Sequence, residues 1–158
     1  SFNKPSVLSL TRQNLTPVRK KYSKINKCNF GAYEILRTNK KIKLTILATG
    51  SEVNLAISTS HKLAKYKIYS KVISVPSLEL FKLQSKSYKN KVLNETKYKI
   101  SIEAASTEPW KQLIGNNGFC FGIDDYGKSA PYRDIFRYFG LTSENIVNKI
   151  KKMLNKQI

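Results

Sequence analysis

Short apolar runs alternate with amphipathic stretches along the chain. Leu44-Thr45-Ile46-Leu47-Ala48 is an almost unbroken apolar run closed by Thr49-Gly50-Ser51-Glu52, the pattern of a strand covered on both faces. Behind it Val53, Ala56, Ile57, Ser60, Leu63 and Ala64 recur at steps of three and four, which predicts a helix with one apolar or small stripe and Ser51 as its N-cap. The unit repeats. Val72 to Val75 predicts a strand stopped by Pro76-Ser77, with helical segments through Phe81, Tyr88 and Val92. Tyr98 to Ile102 predicts a third strand, closed by Glu103 to Thr107. A helix follows, with Thr107 as its cap candidate, Pro109 in its first turn, and Trp110 and Leu113 facing inward before Gly115.

Phe119 to Ile123 predicts a fourth strand and Asp124-Asp125-Tyr126-Gly127 a turn, Gly127 supplying a positive φ and Ser129 capping the next helix. That helix, opened by Ser129-Ala130-Pro131, carries the stripe Tyr132, Ile135, Phe136 and Phe139 and ends at Gly140. A last helix, capped by Thr142, has Ile146, Val147, Ile150, Met153 and Leu154 on one side and lysines on the other. Upstream of the repeat, Tyr33 to Leu36 is a short strand candidate. Val7-Leu8-Ser9-Leu10 reads as one further strand, and Asn14 to Asn29 as a lysine-rich linker. Strands alternating with amphipathic helices imply right-handed βαβ crossovers. The expected fold is α/β, three-layered α/β/α, with a mostly parallel sheet of about five strands.

With 158 residues and 41% apolar content the chain can bury one ordinary core. No run approaches the roughly 20 apolar residues of a membrane span, and Ser1 to Lys4 holds no apolar signal core, so no membrane partner and a cytoplasmic location are expected. Cys28 and Cys120 are far apart without a CxxC spacing and there is a single histidine, which leaves neither a zinc site nor a disulfide framework; both read as free thiols, Cys120 buried. The balance of 29 Lys and Arg against 10 Asp and Glu gives +19. A charge of that size suggests polyanion binding. The lysines are scattered rather than gathered in a stripe, however, and accompany abundant Asn, Ile and Tyr, so compositional bias is the simpler reading. Anionic metabolites, sugar phosphates among them, would still be drawn to such a surface at low salt.

Ordered landmarks give the sequence a family likeness. Leu10-Thr11-Arg12-Gln13, Gly31-Ala32-Tyr33, Ala48-Thr49-Gly50-Ser51-Glu52-Val53, Val75-Pro76-Ser77, Glu103-Ala104, Gly122 to Pro131 (GIDDYGKSAP) and Phe139 to Val147 (FGLTSENIV) resemble, in order and spacing, the C-terminal part of transketolase. The resemblance implies that residues 1–29 are the end of a pyrimidine-binding domain plus a linker, and that 30–158 are the transketolase C-terminal domain. It implies transfer of a two-carbon ketol unit between sugar phosphates in the pentose phosphate pathway. Thiamine diphosphate with Mg2+ or Ca2+ would be held outside this chain, which would be inactive alone and part of a homodimer with the remaining transketolase domains. The family's GDG-type motif, its pyrimidine-activating glutamate and its catalytic histidines have no counterpart here; Glu103 stands in a third-domain context and His61 matches none of those histidines. Related superfamily members share a similar third domain, but the Thr11-Arg12-Gln13 and Ser129-Ala130-Pro131 contexts favour transketolase. Split enzymes of this family would carry the whole middle domain on their C-terminal subunit.

Arg12 is the one expected substrate-binding residue; no catalytic, cofactor or metal residue is assigned. In the resemblance the arginine of this segment binds the substrate phosphate, for which a planar guanidinium is suited by its two parallel donors. The bland alternative is an arginine paired with a carboxylate at a strand end. Thr49-Gly50-Ser51 could receive an anion at a helix N-terminus, but a tight turn and cap is the preferred reading. Asp124 and Asp125 read as a turn closing on backbone N-H groups rather than as a metal pair. Trp110, Phe119, Phe121, Phe136 and Phe139 read as core packing rather than a base-stacking platform. The alternative function is a free-standing basic α/β module that binds nucleic acid or regulates a partner, with an affinity that falls steeply with salt.

Overall fold

A computed structural model describes residues 5, 7, 8, 10–19 and 22–155. Five strands form one sheet in the order β1-β3-β2-β4-β5: β1 (Tyr33–Arg37), β2 (Leu44–Ala48), β3 (Ser70–Ser74), β4 (Tyr98–Ile102) and β5 (Phe119–Phe121). β2, β3, β4 and β5 run parallel, and β1 is added antiparallel to β3 with a register shift between Glu34 and Leu36. Among the described residues, a 3-10 turn at Lys27–Phe30 precedes six α-helices: α1 (Glu52–Lys65), α2 (Leu78–Lys82), α3 (Lys86–Leu93), α4 (Glu108–Ile114), α5 (Tyr132–Tyr138) and α6 (Ser143–Asn155).

Side-chain alternation along the strands divides the core into two apolar layers. Leu44, Ile46, Ala48, Val72, Ile100, Ile102 and Phe121 pack with Val53, Ala56 and Leu63 of α1 and Ile146, Val147 and Ile150 of α6. Leu47, Ile73 and Val75 face the other way, onto Phe81, Val92, Leu93, Trp110 and Ile114. β2 and β3 are buried at every position because helices cover both faces. The expected three-layer α/β/α fold is therefore the observed one.

Several local expectations give way. Val7, Leu8 and Leu10 lie in no strand and are exposed, Val7 by 94%, while Ser9 is outside the described residues. Among the described residues that run pairs with no strand of the sheet. β3 begins two residues earlier than Val72, and β5 stops at Phe121 rather than Ile123. Ser51 and Thr107 occupy N-cap positions with helical backbone angles, and neither side chain makes the capping bond. Ser51 Oγ instead donates to Glu52 Oε1 at 2.6 Å. Pro131, not Ser129, precedes α5, and Gly127 is absent from the positive-φ glycines. Cys120 is half-buried rather than buried. Thr142 does cap α6, accepting from Asn145 N-H at 3.3 Å.

Gly31 is the position where a glycine is needed. Its φ of +72° is costly for other residues, and a Cβ there would overlap the backbone of Ser77, Leu80 and Phe81. This close approach seats α2 against the start of β1.

Candidate functional site

β2 leads through α1 on one face to β3, whereas β4 leads through α4 on the opposite face to β5. Because β2 and β4 are neighbours, their chains diverge at the carboxyl end of the sheet and leave a crevice, the switch-point position at which open α/β sheets hold ligands. A cleft of about 700 Å3 lies there. Thr49, Gly50, Ser51 and Glu52 form one wall, Glu103, Ala104 and Ala105 the other, and Leu10, Thr11 and Gln13 of the N-terminal segment line it as well.

The electrostatics of this cleft oppose the chain as a whole. Its charged lining residues are Glu52 and Glu103, both carboxylates in a chain of net +19. Glu52 is 5% exposed, accepts from Ala104 N-H at 3.1 Å, and ties the two walls together. It also occupies the first turn of α1, where a carboxylate suits the helix dipole. Glu103 accepts from Trp110 Nε1 at 2.5 Å. Burial pushes the Glu103 carboxyl above the usual carboxylate range; the Trp110 hydrogen bond opposes this and the nearby charge of Glu52 adds to it. A carboxylate of the protein's own thus stands in the first turn of α1, bonded to Ser51 Oγ and Ala104 N-H, which disfavours a further anion at Thr49-Gly50-Ser51 and supports the turn. Sequence reasoning passed over this pair because Glu52 and Glu103 become neighbours only through the parallel register that places Ala48 beside Ile102.

Arg12 sits in a bend, exposed, between the cleft-lining residues Thr11 and Gln13, but is not itself among the lining residues. Among the described residues it makes no ion pair. His61 is exposed on α1. Asp124 closes the start of α4, accepting from Thr107 N-H at 2.8 Å, Thr107 Oγ1 at 2.7 Å and Ser106 Oγ at 3.3 Å. These hydrogen bonds, Thr107's hydroxyl foremost, hold its carboxyl below the usual range. Asp125 accepts from the next N-H, that of Tyr126. Trp110 and Phe121 are core residues, Phe136 and Phe139 are half-buried, and Phe119 is 47% exposed.

The residues present do not fit thiamine diphosphate and its metal. No group of three or more His, Cys, Asp or Glu side chains among the described residues could hold a metal ion, and a diphosphate would meet two carboxylates in the cleft. No helix among the described residues is long and apolar enough to cross a membrane.

Fold and cleft together define an open α/β domain with a cleft at its switch point, on the carboxyl edge of the sheet. The chain belongs to the transketolase C-terminal domain family: the model of the transketolase-like TK C-terminal domain matches residues 31–142. A transketolase from Sinorhizobium medicae is 37% identical over 155 residues, 98% of this chain and 22% of the relative. A mutant transketolase from Pichia stipitis superposes with a TM-score of 0.80 at 32% identity, covering 91% of this chain and 20% of the other. A Pichia stipitis transketolase in complex with sedoheptulose 7-phosphate gives 0.75 at 32% identity, covering 84% and 19%. The chain spans about a fifth of the length of these relatives.

Proposed function

We propose that this chain is the C-terminal section of a transketolase, which moves a two-carbon ketol unit from a ketose phosphate to an aldose phosphate. The carrying observation is the 37% identity that runs over 98% of the chain to a transketolase. In this reading residues 30–158 are the C-terminal domain, and residues 1–29 close a pyrimidine-binding domain and link it to the rest. Thiamine diphosphate and its divalent metal belong to the remaining domains, in keeping with the acidic cleft found here. The complete enzyme is a homodimer of the cytoplasm, and this section, inactive alone, supports the fold and the assembly.

Arg12 is the substrate-phosphate arginine of this reading. Two features support it: the guanidinium is exposed with no ion pair among the described residues, and it lies in the segment that crosses the carboxyl edge of the sheet. The Pichia stipitis relative was solved in complex with sedoheptulose 7-phosphate, a phosphorylated sugar of the class this reading requires. A ketol-transfer assay with xylulose 5-phosphate, ribose 5-phosphate, thiamine diphosphate and magnesium tests the whole. Activity is expected when the chain is joined to the other transketolase domains and not with the chain alone. A folded but inactive combination would reduce this section to a scaffold or a regulatory module.

A further inference from the structure

The free edge of β5 carries a feature that the cleft does not use. Phe119, Phe121, Lys149, Ile150, Lys152 and Met153 line an apolar trough of about 390 Å3 between this edge and α6. Phe119 and Phe121 share one face of the strand, their ring centroids 4.9 Å apart. Lys149 Nζ lies 5.3 and 5.6 Å from these two rings, and Lys152 is one helical turn further on. No carboxylate lines the trough.

The backbone of β5 is open on the same side. Phe121 C=O accepts from Glu103 N-H at 3.0 Å, so Phe121 turns its polar groups toward β4. Strand alternation then directs the N-H and C=O of Cys120 outward. Among the described residues no backbone group meets them there. An unpaired edge beside an apolar, cation-rimmed trough is a template for strand addition. A second copy of this chain is a poor occupant, since it would bring Lys149 and Lys152 against their own kind. An acidic segment has the complementary charge.

We propose that the β5 edge is a docking site for an extended acidic and apolar segment of a partner protein, which adds to the sheet as a sixth strand. One apolar side chain of the segment seats against Phe119 and Met153. A carboxylate two residues away, on the same face, meets Lys149 or Lys152. With three residues in β5 the ladder is short, so the trough supplies the selectivity and binding weakens with salt.

A fluorescein-labelled synthetic peptide of repeating Ile-Thr-Glu-Thr, titrated with the full chain and read by anisotropy, tests this. Binding is expected, with affinity about tenfold lower for the Lys149→Glu, Lys152→Glu double variant. Both lysines are exposed, and circular dichroism checks that the variant is folded. A comparable loss is expected when the peptide backbone is N-methylated, which removes ladder donors without touching the protein. Equal binding of the N-methylated peptide, or of a peptide with Lys in place of Glu, would overturn the proposal. So would the absence of measurable binding of the Ile-Thr-Glu-Thr peptide to the wild-type chain.

Discussion

Glu95 holds together the most heavily charged cluster of the domain, and replacing it with glutamine isolates one buried charge. Lys71, on β3, is 1% exposed, and its Nζ has two partners: Glu95 Oε2 at 2.9 Å and Lys91 C=O at 3.3 Å. Glu95 also accepts from Arg37 Nη1 at 2.5 Å and Nη2 at 2.8 Å, while Arg37 bonds Glu34 as well. Breaking a buried pair from one side costs about 3–5 kcal/mol, because a charge is left uncompensated. The Glu95 side chain is 38% exposed, so water can reach the site and the expected loss for Glu95→Gln falls to about 2 kcal/mol. For a chain of this length that lowers Tm by about 4–8 °C. Urea unfolding read by the fluorescence of Trp110, the sole tryptophan and 1% exposed, measures it directly.

The pH dependence of this effect has a definite sign. Hydrogen bonds from Arg37, then from Lys71, lower the Glu95 carboxyl to about 2. A depressed folded value means that the stabilisation is present above the ordinary glutamate range and is lost as pH falls toward 2. The gap between wild type and Glu95→Gln should therefore be widest at neutral pH and close on acidification. In the Lys71→Met background Glu95→Gln should cost less than in wild type, since no buried ammonium is left behind. A loss below about 0.5 kcal/mol at pH 7, or a gap that widens on acidification, would refute the reasoning.

Other substitutions probe the turns and the cleft. Gly31→Ala should cost several kcal/mol, because its Cβ meets backbone, whereas Gly50→Ala, with φ +53° and open space before it, should cost about 1 kcal/mol; the two urea midpoints compare them. Glu103→Gln keeps an acceptor for Trp110 and removes a carboxylate whose ionisation burial opposes. Its stability at pH 7 should equal or exceed that of wild type, with the advantage fading as pH falls through the raised range in which the folded wild-type carboxyl takes up its proton, and gone once the ordinary glutamate range has been passed. In the complete enzyme Arg12→Ala should forfeit about 1.5–3 kcal/mol as weaker sugar-phosphate binding, and an unchanged KM for phosphorylated sugars would remove the assignment.

Periodicity fixed the elements because it is a local property: the run Leu44 to Ala48 and the stripe Val53 to Ala64 announced β2 and α1 before any partner was known. It also announced Tyr98–Ile102 to the residue, and family landmarks assigned the domain to its relatives. Pairing and burial are not local. The sequence could not say that Val7, Leu8 and Leu10 would find no strand to join, nor that Ser51 would spend its hydroxyl on Glu52 while Asp124, 17 residues along the chain from Thr107, closed the start of α4. It could not show that Glu52 and Glu103 share one cleft, because that neighbourhood exists only once β2 and β4 lie in register and their chains part to opposite faces. Tertiary structure alone made that cleft acidic within a basic chain, since a cleft's charge depends on which side chains converge there and not on how many the sequence holds.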